Sequence, residues 1–181
     1  MTSFVTLPGI GNSGGSHWQS LWEAADARFQ RFAPTSWDEP VLRDWISALE
    51  RTILAAAPPI VLVPHSLACL MVAYAAEAIA GKVAGAFLVA VPDPSEAKFP
   101  KQATTFRDPP EIMLPFRSLM IASRNDPYGT SDYARARASQ WGCSVIDVGE
   151  LGHINGASGL GDWTQGRDLL TAFCAGLGIE G

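Results

Sequence analysis

The sequence has few cysteines and no excess of positive charge. Its three cysteines, Cys69, Cys143 and Cys174, lie far apart and form neither a C-x-x-C pair nor a metal-ligand spacing. We therefore expect reduced thiols, no metal and no other cofactor. The 13 Lys and Arg residues against 18 Asp and Glu give a net charge of -5, without a basic cluster. This balance argues against a nucleic-acid partner.

Long hydrophobic runs are also absent. The most apolar stretch, residues 53–63, is interrupted by two consecutive prolines, and the first residues lack a positive segment followed by a long apolar one. These features predict a cytoplasmic protein with no membrane contact. The 181 residues, 48% of them hydrophobic, can bury one core, so we expect a single domain over residues 1–181.

What the sequence does contain is an alternation of apolar runs and helical patterns, which predicts a mainly parallel sheet of about six strands covered on both faces. Helices are predicted by the apolar spacing, and a capping box of Ser16 and Gln19 predicts the start of the first. The segment 92–116 contains six prolines and should be irregular. The predicted strands are 3–7, 60–63, 85–91, 118–123 and 143–148, with a short one near Phe32, and the predicted helices are 17–31, 41–56, 67–80, 132–141 and 163–177.

Ser66 stands directly between a predicted buried strand and a predicted buried helix, in the stretch VPHSLA. This is the position of a nucleophile elbow, a sharp turn that holds a serine above the sheet. The residues two before and two after must be small, and here they are Pro64 and Ala68 rather than the common glycines. A serine that caps the following helix is the alternative interpretation, and these residues alone leave both open.

Two later residues favour the elbow. A serine nucleophile needs a base to take its proton and a carboxylate to orient that base. Asp126 follows the strand at 118–123, and His153 follows the last predicted strand. Separately, Asp126 could be a turn residue and His153 a loop histidine, but the order Ser66, Asp126, His153 at successive strand ends is that of α/β-hydrolases.

Other residues could compete for the same roles. His65 adjoins the nucleophile and is expected to point away across the turn, whereas His17 belongs to the start of the first helix. His153 is then the remaining base. Asp93, after the strand at 85–91, is the alternative acid, although Asp126 is preferred.

The first loop, LPGIGNSGGSHW, contains the spacing G-x-G-x-x-G at Gly9, Gly11 and Gly14. This spacing can cradle a pyrophosphate, and Asp38 lies roughly 20 residues on, where a ribose-binding acid would be expected. A sheet ordered 2-1-3-4-5-6 instead places this loop beside the third strand. The backbone N–H groups of Ile10 and Leu67 would then form the oxyanion hole.

The motifs LPGIGNSGGSHWQSLWE, WDEP, VPHSLA, ASRNDPYG and GHINGASGLGDW resemble the small serine hydrolases of the retinoblastoma-binding protein 9 and YdeN type. The resemblance covers most of the chain. It implies a three-layer α/β-hydrolase core without a cap domain, a triad of Ser66, His153 and Asp126, and carboxylesterase-like activity on small esters or related acyl substrates.

Two further classes of function stay open at this point. The fold could serve as a binding module for a protein partner, with weak or no catalysis, or the glycine loop could bind a dinucleotide. Under the hydrolase interpretation, the segment 92–116 would border the substrate, with Phe99 and Phe106 as possible contacts. Packing beneath a loop is the alternative role for these two rings.

Overall fold

The structure, a computed structural model, describes residues 1–181 and contains one six-stranded sheet. All neighbouring strands are parallel, and their order is β2-β1-β3-β4-β5-β6. The predicted sheet and its strand order are therefore confirmed. The strands are β1 Ser3–Leu7, β2 Phe29–Arg31, β3 Ile60–Pro64, β4 Gly85–Val89, β5 Arg117–Ala122 and β6 Ser144–Asp147.

Five α-helices cover the sheet on both faces and make a three-layer architecture without a cap domain. One buried cluster packs α2, α3 and α4 against the sheet, and a second packs α1 and α5 against the opposite face. None of the helices combines the length and the apolar character that crossing a membrane requires. The helices are α1 Trp18–Ala25, α2 Leu42–Ala55, α3 Leu67–Ile79, α4 Ser131–Trp141 and α5 Thr164–Gly176.

The first predicted helix is too long. It ends at Ala25, because the Asp26 carboxylate accepts a hydrogen bond from the backbone N–H of Arg28 at 3.0 Å and turns the chain. Residues 29–31 then join the sheet as β2, close to the short strand expected near Phe32. The proline-rich segment 92–116 is irregular as predicted, apart from one 3-10 turn at Thr104–Phe106.

The predicted capping box is wrong as well. The N-cap of α1 is His17, whose Nδ1 accepts from the backbone N–H of Gln19 at 3.2 Å. The Gln19 side chain is fully buried and donates to the carbonyl of Val63 at 2.9 Å, while its oxygen accepts from the Ser13 hydroxyl. Gln19 therefore ties the loop after β1 to the strand that precedes Ser66.

Candidate active site

Ser66 occupies a strained turn between β3 and α3. Its backbone lies at φ 55° and ψ -126°, and its side chain makes no capping hydrogen bond to the helix. A positive φ is costly for a residue with a Cβ and persists only when the surroundings enforce it. Here the Ser66 N–H donates to the carbonyl of Val89 at 2.9 Å, and Pro64 and Ala68 are buried on either side. The hydroxyl is therefore free for another partner, as an elbow requires.

That partner is His153. Its Nε2 lies 2.7 Å from Ser66 Oγ, and its Nδ1 lies 2.9 Å from both carboxylate oxygens of Asp126. Because an ionised carboxylate only accepts, Nδ1 carries the proton and Nε2 accepts from the serine hydroxyl. The structure thus brings the three predicted residues together in one hydrogen-bonded chain, with each residue at most 9% exposed.

The carboxylate that contacts His153 belongs to Asp126 rather than to Asp93. Asp126 Oδ1 also accepts from the backbone N–H of Tyr128 at 2.9 Å, and the Tyr128 ring packs 4.5 Å from the His153 ring. The Asp93 carboxylate instead accepts from the backbone and hydroxyl of Ser95. The alternative acid is therefore engaged elsewhere.

Two side chains near Asp126 also hold the loop that carries His153. Ser123 Oγ accepts from the backbone N–H of Leu151 at 2.9 Å, and Asn125 Oδ1 accepts from that of Gly152 at 2.7 Å. The loops after β5 and β6 are thus joined on the side of the acid. No pattern in the sequence indicates this role for Ser123 or Asn125, although both lie in the stretch ASRNDP.

The three histidines of the chain form a continuous column. The rings of His17 and His65 lie 4.9 Å apart, and those of His65 and His153 lie 5.0 Å apart. His65 does not contact the Ser66 hydroxyl; its Nε2 lies 2.9 Å from the carbonyl oxygen of His153 and donates to it. The residue before Ser66 thus holds the loop that carries His153.

Burial keeps the outer two histidines neutral. It lowers the pKa of His65 well below its ordinary value, with further contributions from the neighbouring histidines. It also lowers the pKa of His17 to about 4, assisted by the charges of Arg31 and His153. The Nδ1 of His17 is an acceptor, so Nε2 carries the hydrogen, and this buried atom has no partner in the protein.

The first loop approaches Ser66 closely because residue 9 is glycine. A Cβ on Gly9 would lie 2.9 Å from Ser66 Cβ and 3.4 Å from the nitrogen of Leu67. The N–H groups of Ile10 and Leu67 donate to no protein atom, whereas that of Gly11 bonds the carbonyl of Trp37. Leu67 begins α3, where the helix dipole favours an anion. The two backbone N–H groups predicted to form an oxyanion hole therefore lie beside Ser66 without a protein acceptor.

A cavity of about 590 Å³ opens above Ser66. Phe99 and Phe106 do not line it. Both rings are buried in the core, and Phe106 packs 5.5 Å from Trp45. The predicted substrate contacts are thus corrected, because both rings pack toward the core, whereas Lys98 and Pro100 on either side of Phe99 line the cavity. The cavity is lined by Gly9, Ile10, Gly11, Asn12, Gly14, Ser16, His17, Asp38, His65, Ser66, Leu67, Pro92, Lys98, Pro100, Gln102, Tyr128, His153, Asn155, Gly156 and Ala157.

Comparison with known proteins places these features in a family. Residues 4–172 match the family described as serine hydrolase. A YdeN-like hydrolase from Pectobacterium atrosepticum is 30% identical, with a TM-score of 0.87 over 98% of this chain and 92% of the other. The ydeN gene product of Bacillus subtilis is 20% identical, with a TM-score of 0.80 over 97% and 100%. No curated protein matches the sequence.

A more distant structure shares the fold alone. Est1E from Butyrivibrio proteoclasticus, whose structure contains ferulic acid, is 10% identical, with a TM-score of 0.70 over 94% of this chain and 88% of the other. The architecture derived from the apolar runs is therefore that of the α/β-hydrolases.

Proposed function

The chain belongs to the serine hydrolase family, and we propose that it cleaves small carboxylic esters through an acyl-enzyme intermediate. Ser66 is the nucleophile, His153 the general base and Asp126 the group that orients the base. The observation that carries this proposal is the hydrogen-bonded chain from Ser66 Oγ through His153 to Asp126, with contacts of 2.7 and 2.9 Å.

Acylation starts at Ser66. Its Oγ forms a bond to the ester carbonyl carbon while Nε2 of His153 takes the hydroxyl proton. The carbonyl electron pair moves onto oxygen, and the N–H groups of Ile10 and Leu67 stabilise the resulting oxyanion. Asp126 stabilises the imidazolium that forms on His153. The tetrahedral intermediate then collapses, the C–O bond to the alcohol breaks, and His153 returns its proton to the leaving oxygen.

Deacylation repeats this sequence with water. His153 removes a proton from the water molecule as its oxygen bonds to the acyl carbon. The second oxyanion occupies the same two donors. Its collapse breaks the bond to Ser66 Oγ, which recovers a proton from His153, and releases a carboxylic acid. The strained turn at Ser66 and the unused donors beside it are both in place before substrate binds, so little reorganisation is needed.

A fluorophosphonate probe tests the proposal, because it phosphonylates only an activated serine. We expect about one equivalent of label on the wild-type protein and none on Ser66→Ala. Ser118→Ala is the matched control, since this serine lies at the start of β5, at the opposite edge of the sheet. Folded wild-type protein that takes up no label, or Ser66→Ala protein that labels equally, would contradict the proposal.

A further inference from the structure

Arg31 contacts the loop that carries Ile10, one of the two backbone donors beside Ser66. It is the last residue of β2, and 22% of its side chain is exposed. Its Nη1 donates to Asn12 Oδ1 and to the carbonyl of Ser13, both at 2.9 Å. One guanidinium therefore binds the loop through a side chain and through the backbone.

The other guanidinium nitrogens are held by α1. Nε lies 3.0 Å from both carboxylate oxygens of Glu23, and Nη2 donates to Ser20 Oγ at 2.7 Å. The Ser20 hydroxyl donates in turn to the carbonyl of Ser13 at 2.8 Å, and the Glu23 carboxylate accepts from the hydroxyl of Thr6 in β1. Because a planar guanidinium presents its donors in a fixed geometry, these contacts fix the orientation of Arg31 toward the loop.

Ile10 lies in a tight turn formed by residues 9–12. The backbone N–H of Asn12 donates to the carbonyl of Gly9 at 3.2 Å and closes the turn. Gly11 has φ 76°, a value that glycine adopts without strain. The direction of the Ile10 N–H is therefore set by the two ends of the turn, Gly9 and Asn12.

The two ends of this turn are held in different ways. Gly9 lies against Ser66, where a Cβ would have no room. Asn12 is exposed, and its φ of 64° is unfavourable for a residue with a Cβ. Its Oδ1 accepts from Arg31 and, at 2.8 Å, from the backbone N–H of Ser13. Arg31 thus supplies a side-chain contact that holds the exposed end of the turn in this conformation.

From these contacts we infer that Arg31 is a positioning residue, which keeps the Ile10 N–H directed at the oxyanion that forms during ester cleavage at Ser66. The inference rests on the proposed function. Arg31 is not among the residues that line the cavity, so it acts through the loop rather than on the substrate. A lysine in its place has one ammonium on a flexible stem and cannot bind Glu23, Ser20 and the loop together. Partial displacement of one oxyanion donor should lower kcat about tenfold.

Arg31→Lys and Arg28→Lys form a matched pair that tests the inference. Arg28 precedes β2, at the edge of the sheet where the strands begin; 24% of its side chain is exposed, and its Nε and Nη2 bind Asp26. We would measure kcat and KM with 4-nitrophenyl acetate per mole of folded protein, with Ser66→Ala as the blank. Arg31→Lys should lower kcat about tenfold and change KM less than about twofold, whereas Arg28→Lys should leave both within about a factor of two of wild type.

The inhibitor 1,1,1-trifluoroacetone reports on the oxyanion hole itself. Its carbonyl carbon bonds to Ser66 Oγ, the hydroxyl proton moves to His153, and the carbonyl electron pair moves onto oxygen, so the adduct carries an oxyanion like that of the reaction. The inhibition constant of Arg31→Lys should therefore rise about tenfold, in parallel with the fall in kcat/KM. The inhibition constant of Arg28→Lys should not change, because loss of stability alone does not alter the oxyanion hole.

Asn12→Gly separates positioning from stability while Arg31 stays in place. Glycine adopts φ 64° readily, so the free energy of unfolding should change little, although the acceptor for Arg31 is lost. We expect kcat to fall about threefold. The double variant Arg31→Lys/Asn12→Gly should lose less than the product of the two single losses, because both substitutions remove the same contact.

The possible failures are distinguishable. Ser66-dependent hydrolysis in which Arg31→Lys keeps the wild-type kcat, or loses no more than Arg28→Lys, would overturn the inference and leave the proposed function standing. Asn12→Gly protein with the wild-type kcat would overturn it equally, even if Arg31→Lys did not fold. Absence of both ester hydrolysis and fluorophosphonate labelling in folded wild-type protein would overturn the proposed function, and the inference with it.

Discussion

The sheet has two edges that differ sharply: the carboxyl edge, where the strands end, and the amino edge, where they begin. The carboxyl edge carries all three histidines and the cavity of about 590 Å³. The amino edge has a cavity of about 250 Å³ at the starts of β5 and β6 and the ends of α4 and α5, and no histidine lines it. All five non-glycine residues with positive φ also lie at the carboxyl edge, in the connections after strands or at the start of α5: Asn12, Ser66, Ala90, Ile154 and Trp163.

The difference shows where this fold tolerates unfavourable local structure. Positive φ and buried polar groups each cost free energy and persist only where other contacts impose them. At the carboxyl edge those contacts are hydrogen bonds between neighbouring loops, such as His65 to the carbonyl of His153. The two apolar clusters on the faces of the sheet supply the stability that offsets this cost. The candidate active site and the strained residues therefore lie at the same edge.

The largest loss of activity is expected when Asp126, the carboxylate bonded to His153, is replaced. Asp126→Asn keeps the size of the side chain but removes the charge that holds the His153 tautomer, so kcat should fall about 10⁴-fold. Asp93→Asn is the matched control, because that carboxylate contacts Ser95 rather than His153. Steady-state hydrolysis of 4-nitrophenyl acetate measures both variants. Equal losses in the two variants would show that Asp126 has no special role.

The next largest loss of activity is expected when Gly9 is replaced by alanine. Its alanine variant would place a Cβ 2.9 Å from Ser66 Cβ, so the loop or the elbow must move. Displacing the Ile10 donor from the reacting carbonyl should lower kcat about 10²-fold. Gly15→Ala is the control, since its Cβ would meet nothing within 4 Å. If Gly9→Ala retained full kcat, close approach of this loop would be irrelevant to activity.

His65 is expected to have an intermediate effect. His65→Phe keeps a ring in the column but loses the N–H that bonds the carbonyl of His153, which should lower kcat about tenfold with little change in KM. His65→Gln restores an N–H at the corresponding position and should recover most of the loss. The kcat and KM of both variants, with the downfield proton resonance of the His153–Asp126 hydrogen bond, distinguish positioning from general destabilisation. Identical behaviour of the Phe and Gln variants would contradict the positioning role.

Much of the fold could be predicted from the sequence because each strand is an almost continuous apolar run. That Ser66, Asp126 and His153 would meet could also be predicted, since each follows a strand and the carboxyl ends of parallel strands lie at one edge of the sheet. The extent of α1 was not, because residues 26–31 continue a helical pattern that the Asp26 hydrogen bond interrupts. Local pattern cannot reveal such a competition between a turn and a helix.

The other features that could not be predicted from the sequence are contacts between distant segments. The histidine column joins His17, His65 and His153, and nothing in sequence spacing indicates that these three rings stack. Likewise, the irregular segment 92–116 has no period that could show which residues face the cavity. The sequence therefore could not show that the Phe99 ring is buried in the core while its neighbour Lys98 lines the cavity.

The histidine column should also affect stability as the pH changes. The unfolded chain protonates His17 near pH 6.5, whereas the folded protein does so only at about 4. The free energy of unfolding should therefore fall as the pH drops from 6.5 to 4. His17→Asn, whose amide oxygen can still cap α1, should reduce this slope by up to about 1.4 kcal/mol per pH unit. Urea unfolding across this range measures the slope, and equal slopes in both proteins would refute the assignment.

The smallest effect is expected at the amino edge. Ser118→Ala removes a hydrogen bond of 3.2 Å from the hydroxyl to the carbonyl of Phe116 and should cost at most about 1 kcal/mol of unfolding free energy. Because this serine is remote from the cavity, kcat/KM should stay within a factor of two of wild type. A larger loss of activity would mean that the two edges are coupled.

The most direct test of the account is a rapid-quench reaction with 4-nitrophenyl acetate. We predict a burst of about one equivalent of 4-nitrophenol and, after acid quench and proteolysis, an acetyl group on the peptide that contains Ser66. The Ser66→Ala protein should give neither. A burst with the acetyl group on another residue, or turnover that persists in Ser66→Ala, would contradict the central claim that the strained serine at the carboxyl edge is the nucleophile.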